Sequence, residues 1–147
     1  MAPAPTIRIT QVEDYRFTVD FGAALPHLAV DEAEPIGGGQ GPFPEQILIA
    51  GVANCLCASL VFALGKFRQD GGGVCAEAAC RVERNAEGRL RIVGIDVGIR
   101  LGAEAVDLPR IARVMEQFER FCTVSESVKM GIPVAVSVRD GKGVSLK

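Results

Sequence analysis

The sequence has no tryptophan, one tyrosine and one histidine. The histidine, His27, is far from the cysteines, which are spaced as Cys55-x-Cys57 and as Cys75 and Cys80 five apart, so the chain lacks a ligand pattern for zinc. We expect neither metal nor cofactor, and His27 beside Pro26 reads as a solvated loop residue. Basic runs are missing too. With 16 Lys+Arg against 18 Asp+Glu the net charge is −2, and no basic stripe is interleaved with aromatics, so nucleic acid is not an expected partner. The start, MAPAPTIRIT, has neither a cationic region nor an apolar one of the secretory kind, and we expect a cytoplasmic protein. In a reducing compartment five cysteines, an odd number, read as thiols rather than as a disulfide framework.

What is present points to one domain over residues 1–147, since 48% hydrophobic residues suffice for a real core. The longest apolar stretch, Ile47 to Leu64, is 18 residues without a charge, which is the length at which a membrane span must be considered. Gly51, Asn54 and Ser59 interrupt it, and its flanks lack the Trp/Tyr belt. We therefore expect no membrane partner, and read the stretch as the buried axis of a soluble domain, a helix from Pro44 to Lys66 that is apolar on all sides. Pro44 suits the first helical position, where its missing N–H is harmless, and Glu45 suits the positive end of the helix dipole.

Strand signals flank this helix. TIRITQ and YRFTVDF alternate apolar and polar residues around a turn at VEDY, and VCAEAACRVER and LRIVGIDVGIRL do so around NAEG. The segment from His27 to Gly41, with EPIGGGQGPFP, reads as a flexible approach to the helix; it lacks the G-x-x-x-x-G-K-[ST] spacing of a phosphate loop. The helix is expected to fray near RQDGGGV. Asp107 is placed to cap a second helix, on which Ile111, Val114, Met115, Phe118, Phe121 and Cys122 form an apolar face. A short helix in VSESVKMG and a last strand in IPVAVSV follow. The order β-β-α-β-β-α-α-β predicts an α+β domain.

PEQ at Pro44 to Gln46, the small-residue helix leading to Cys55, and C-x-V-S at Cys122 to Ser125 before a glycine and a strand resemble the OsmC/Ohr superfamily. The distinctive element is the combination of a Pro-Glu helix start, a cysteine ten residues past the Glu and a second cysteine 67 residues further on. The resemblance spans most of the chain. It implies an OsmC-like fold of antiparallel sheets packed around a long central helix, in an intertwined homodimer. It also implies a two-cysteine peroxidase that reduces organic hydroperoxides and is recycled by a thiol reductant, lipoyl-type in the Ohr branch. By position Cys55 matches the peroxidatic cysteine, Cys122 the resolving cysteine, and Glu45 the acid that orients an arginine beside the thiolate. The usual Gly-Arg motif is missing, and Arg16 is the nearest arginine by position. Thr123 stands where the family usually has proline, and Asn54 where it more often has a small residue, which points to an OsmC-like subgroup.

The chemistry requires such a set. Thiolate rather than thiol cleaves a peroxide, and a cysteine with a pKa of about 8.5 is mostly protonated at neutral pH, so a nearby cation is needed. A second thiol then condenses with the sulfenic acid before further oxidation. On one unbroken helix Glu45 and Cys55 lie about 15 Å apart along the axis, so either a long arginine bridges them or the acid comes from a neighbouring chain. Cys57, about 200° around the helix from Cys55, faces elsewhere. Cys75 and Cys80 read as strand residues on opposite faces. Each site residue also has a plain reading: a buried apolar thiol for either cysteine, a helix-dipole partner for Glu45, an outward-facing strand residue for Arg16. Two further functions remain open, a binding protein for a small hydrophobic ligand and a thiol redox sensor.

Overall fold

The computed structural model describes residues 3–147. The chain forms two compact units, Met1–Leu48 and Ile49–Lys147.

In the first unit, β1 (Arg8–Glu13), β2 (Arg16–Asp20) and β3 (Leu28–Val30) make an antiparallel sheet in the order β1-β2-β3. The turn falls inside the expected VEDY segment, with Asp14 at φ 45°. β3 was not expected, because three residues are too few for alternation to show. β2 carries the buried Val19, whereas Ile9 and Val12 of β1 stand in solvent.

The glycine-rich segment is not a flexible approach. Asp31, 4% exposed, accepts the backbone N–H groups of Glu32, Gly38 and Gln40 at 2.8, 3.2 and 3.1 Å, so the loop folds back on one carboxylate. Glycine is required at 37, where a Cβ would lie 2.4 Å from the Glu32 carbonyl oxygen. The Gln40 N–H, ahead of the other N–H donors and against the effect of burial, holds the Asp31 acid below the ordinary range.

Helix α1 (Pro44–Lys66) has the expected bounds. At its start the Gln46 side chain accepts the Phe43 N–H at 3.1 Å, half of a capping box. Its end does not fray. The Gln69 N–H returns to the Leu64 carbonyl and that of Arg68 to Gly65, both at 3.0 Å, with Arg68 at φ 54°; this is a Schellman closure with arginine at the position usually held by glycine. The helix is long and apolar enough to cross a membrane, with one third of its 18-residue window buried. Val52, Leu56, Leu60, Ala63 and Leu64 share a buried face, at the spacing of successive turns. Contrary to the expectation of burial on all sides, Val61 and Phe62 are more than half exposed.

In the second unit β4 (Val74–Arg84) pairs antiparallel with β5 (Leu90–Leu101), and β5 pairs parallel with β6 (Val134–Arg139). Asn85 shapes the β4–β5 turn by accepting the N–H groups of Glu87 and Arg89. The connection from β5 to β6 contains a 3-10 turn (Ala105–Asp107), α2 (Ile111–Gln117), a second 3-10 turn (Phe118–Phe121) and α3 (Thr123–Val128). Asp107 is not a helix cap. It ends the 3-10 turn, and Arg110 precedes α2. Ile95, Val97, Ile99 and Leu101 of β5 alternate into the core, joined by Val114, Phe118, Val138 and the buried face of α1.

Candidate active site

Cys122 lies where the second 3-10 turn passes into α3. Its backbone leaves the helical region (φ −85°, ψ 95°), and its sulfur accepts the Ser125 N–H at 3.3 Å, taking the place of the usual N-cap oxygen. The thiol is fully buried, with the Cys55 side chain close enough to bear on its titration. All five cysteines are free thiols, and Cys55 is half-buried. Two thiols 67 residues apart in the sequence are therefore neighbours, the more accessible one on α1 and the enclosed one at the head of α3.

Burial pushes the Cys122 thiol above its ordinary range, and the adjoining Cys55 side chain pushes the same way. The hydroxyl and N–H of Ser125 oppose this without reversing it. The Ser125 hydroxyl oxygen is itself buried without a conventional partner. Cys122 is thus held as a neutral thiol, the form in which it can donate a proton while condensing with an oxidised neighbour. Ser125 appeared in the sequence only as the end of C-x-V-S; its spacing from Cys122, three residues, is the one by which a cap reaches its third helical N–H.

The segment before Cys122 is pinned by an ion network. Lys129 Nζ lies 2.6 Å from Glu119 and 2.8 Å from Glu126, and Lys147 also pairs with Glu119. Burial raises the Glu119 acid, but Lys129 and Lys147 together overcome it and hold the group below the ordinary range. The Glu119 carbonyl in turn accepts the Cys122 N–H at 2.9 Å. On the Cys55 side of α1, Phe62 stacks edge-on against Phe121 with centroids 5.2 Å apart, and Lys66 Nζ lies 4.5 Å from the Phe121 ring centre. Phe121 is therefore tied to α1 one residue before Cys122.

Cys57 faces away from this pair, as the helix geometry predicts; burial raises its thiol, with a smaller contribution from Cys75. Cys75 is exposed and Cys80 half-buried, on opposite faces of β4. His27 is exposed, 3.6 Å from Asp20. Arg16 and Glu45 belong to the first unit. The Arg16 guanidinium donates to Gln40 at 2.6 Å and to Glu13 at 3.2 Å, so it is no free outward residue. Glu45 is half-buried in the first turn of α1 and forms no ion pair among the described residues. No cluster of metal-ligating side chains occurs among the described residues.

The sequence matches the family model described as OsmC-like protein over residues 37–137. No curated protein matches it. Among solved structures it is similar to an organic hydroperoxide resistance protein from Elizabethkingia anophelis, crystallised with thiocyanate bound (15% identity, TM-score 0.74, covering 95% of this chain and 99% of that one). It is similar to an OsmC like protein from Mycoplasma pneumoniae (14%, 0.77, 95% and 99%) and to the organic hydroperoxide resistance protein OhrB of Bacillus subtilis (19%, 0.69, 91% and 98%). At these identities the likeness establishes the fold alone.

Proposed function

Because the chain belongs to the OsmC-like protein family, we propose that it is a thiol-dependent peroxidase that reduces organic hydroperoxides in oxidative stress defence. The observation that carries this reading is the contact between the accessible Cys55 and the enclosed Cys122 thiol. The Cys55 thiolate attacks one oxygen of the hydroperoxide; the O–O bond breaks, the alcohol leaves with a proton, and Cys55 becomes a sulfenic acid. The Cys122 sulfur then displaces hydroxide, which takes the thiol proton and leaves as water, giving the Cys55–Cys122 disulfide. A dithiol reductant, lipoyl-type, reopens the bond by thiol exchange and is itself oxidised to a disulfide. The protein works in the reducing cytoplasm, where a dithiol of this kind is kept available.

In this role the protein is a homodimer. What supports it is the apolar surface left open, with Val61 and Phe62 on α1 and Ile9 and Val12 on β1 each more than half exposed. Glu45 and Arg16 serve as the acid and the cation of the site. Arg16→Gln and Glu45→Gln should each slow hydroperoxide consumption, and unchanged rates in both would remove them from it. Sedimentation of a fully active monomer would remove the dimer.

The decisive test is to treat the reduced protein with stoichiometric cumene hydroperoxide or hydrogen peroxide and to map disulfides by mass spectrometry in wild type, Cys55→Ser and Cys122→Ser. Rapid Cys55–Cys122 closure, faster with the organic peroxide and absent in both variants, is expected. Thiols that oxidise no faster than free cysteine would instead favour a hydrophobic-ligand binding protein. Disulfide formation without turnover in excess dithiol would favour a redox sensor.

A further inference from the structure

The outer face of the β4-β5-β6 sheet carries a groove of about 940 Å³ that the thiol chemistry does not use. Strand register orders its side chains in rows. One row is Cys75, Arg100 and Arg139; the next is Glu77, Gly98 and Ser137; the third is Ala79, Asp96 and Ala135. The floor is thus built of very small residues and the end of two adjacent arginines.

Like charges directly opposite each other across strands destabilise a sheet unless something offsets them. Here the neighbouring carboxylates are already engaged. Asp96 pairs with Arg81, Glu104 with Lys142, and Asp140 is buried beneath the N–H groups of Ala105, Lys142 and Val144. Neither Arg100 nor Arg139 forms a salt bridge among the described residues; Arg139 donates only to the Gly143 carbonyl, at 3.0 Å. Gly143 also lies beside Arg100, whose Nη2 is 3.8 Å from where a Cβ at 143 would stand, so both guanidinium groups converge on one turn. The remaining carboxylate on this face, Glu77, is on β4, two strands from Arg139, and biases an anion toward the β5–β6 side. Along the floor a Cβ at Gly98 would meet Ser137 Oγ at 3.6 Å, so any larger residue there would stand in the groove.

We propose that this groove binds a slim organic anion, its carboxylate or phosphate head held by Arg100, Arg139 and the Ser137 hydroxyl, and its body lying over Gly98. Two guanidinium groups offer the planar forked donors that such oxyanions accept, and the glycine floor admits a flat ligand at backbone distance.

The test is a titration of the full-length protein at low ionic strength with inorganic phosphate and, separately, with succinate, followed by backbone amide and arginine Nε–H NMR signals. Saturating shifts centred on Gly98, Ser137, Arg100 and Arg139 are expected, with the tighter of the two probes identifying the head group. Arg139→Gln should weaken binding about tenfold or more. Gly98→Val, which keeps both charges and suits a strand, should abolish binding by filling the groove. Glu77→Gln should tighten it. Shifts that fail to saturate for both probes, or that persist unchanged in Arg139→Gln and Gly98→Val, would overturn the site.

Discussion

Ser125 donates its backbone N–H to the Cys122 sulfur at 3.3 Å, so the thiol caps the helix it precedes. Serine is a better cap than cysteine, and alanine is none. Cys122→Ser should therefore fold with near wild-type stability while losing disulfide formation, whereas Cys122→Ala should lose about 1 kcal/mol as well. Urea unfolding of the two variants under reducing conditions checks this. Equal stability of both would mean that the sulfur bond contributes nothing.

The raised Cys122 and Cys57 thiols make the fold sensitive to alkali. A thiol that titrates higher in the folded chain than in the unfolded one binds its proton more firmly when folded. The stability it contributes is complete below the unfolded value near 8.5 and is lost as pH rises from there through the folded value. In reductant the urea midpoint should fall above about pH 8.5, less steeply in Cys122→Ser. A parallel decline in both proteins would rule out the Cys122 contribution.

Asp31 and Asp140 produce the opposite dependence at acid pH. The Gln40 N–H first of all lowers the Asp31 acid, and that of Ala105 the Asp140 acid, each against burial. A depressed carboxyl contributes stability that is present above the unfolded value near 3.9 and disappears as pH falls through the lower folded value. Asp31→Asn and Asp140→Asn should flatten the acid limb of a stability curve followed by circular dichroism. Neither effect should depend on reductant.

Arg68 occupies the left-handed region at φ 54° in the closure of α1, a conformation that costs an L-residue about 1 to 2 kcal/mol. Arg68→Gly relieves that cost but adds freedom to the unfolded chain, so a net gain of about 0.5 kcal/mol is expected in urea. Destabilisation would show that the Arg68 side chain contributes more than its backbone costs.

Parts of the fold that rest on local chemistry were legible in the sequence. Pro44 and the uncharged run gave the bounds of α1, and strict alternation gave β4 and β5. Contacts made across intervening residues were not. Asp31 reaches N–H groups seven and nine positions away, so a loop built on a buried carboxylate looked like a glycine-rich tether. The closure after Lys66 was hidden because arginine rather than glycine takes the left-handed position. Cys55 and Cys122 belong to different periodic segments, and no spacing rule joins them; only the family resemblance paired them in advance. The Arg100 and Arg139 row was equally invisible, since it depends on the register of a parallel pair whose strands are separated by two 3-10 turns and two helices.

The contact between the two thiols also links melting to reduction. Closing a loop of this length removes unfolded-state freedom worth about 4 kcal/mol, while in the folded chain the Cys55 side chain is already a neighbour of Cys122. Oxidation should therefore raise the melting temperature, and by thermodynamic reciprocity the same free energy resists the incoming reductant. A dithiol that forms a ring on oxidation meets that demand better than a monothiol, because its second sulfur captures the mixed disulfide before the protein can reclaim it.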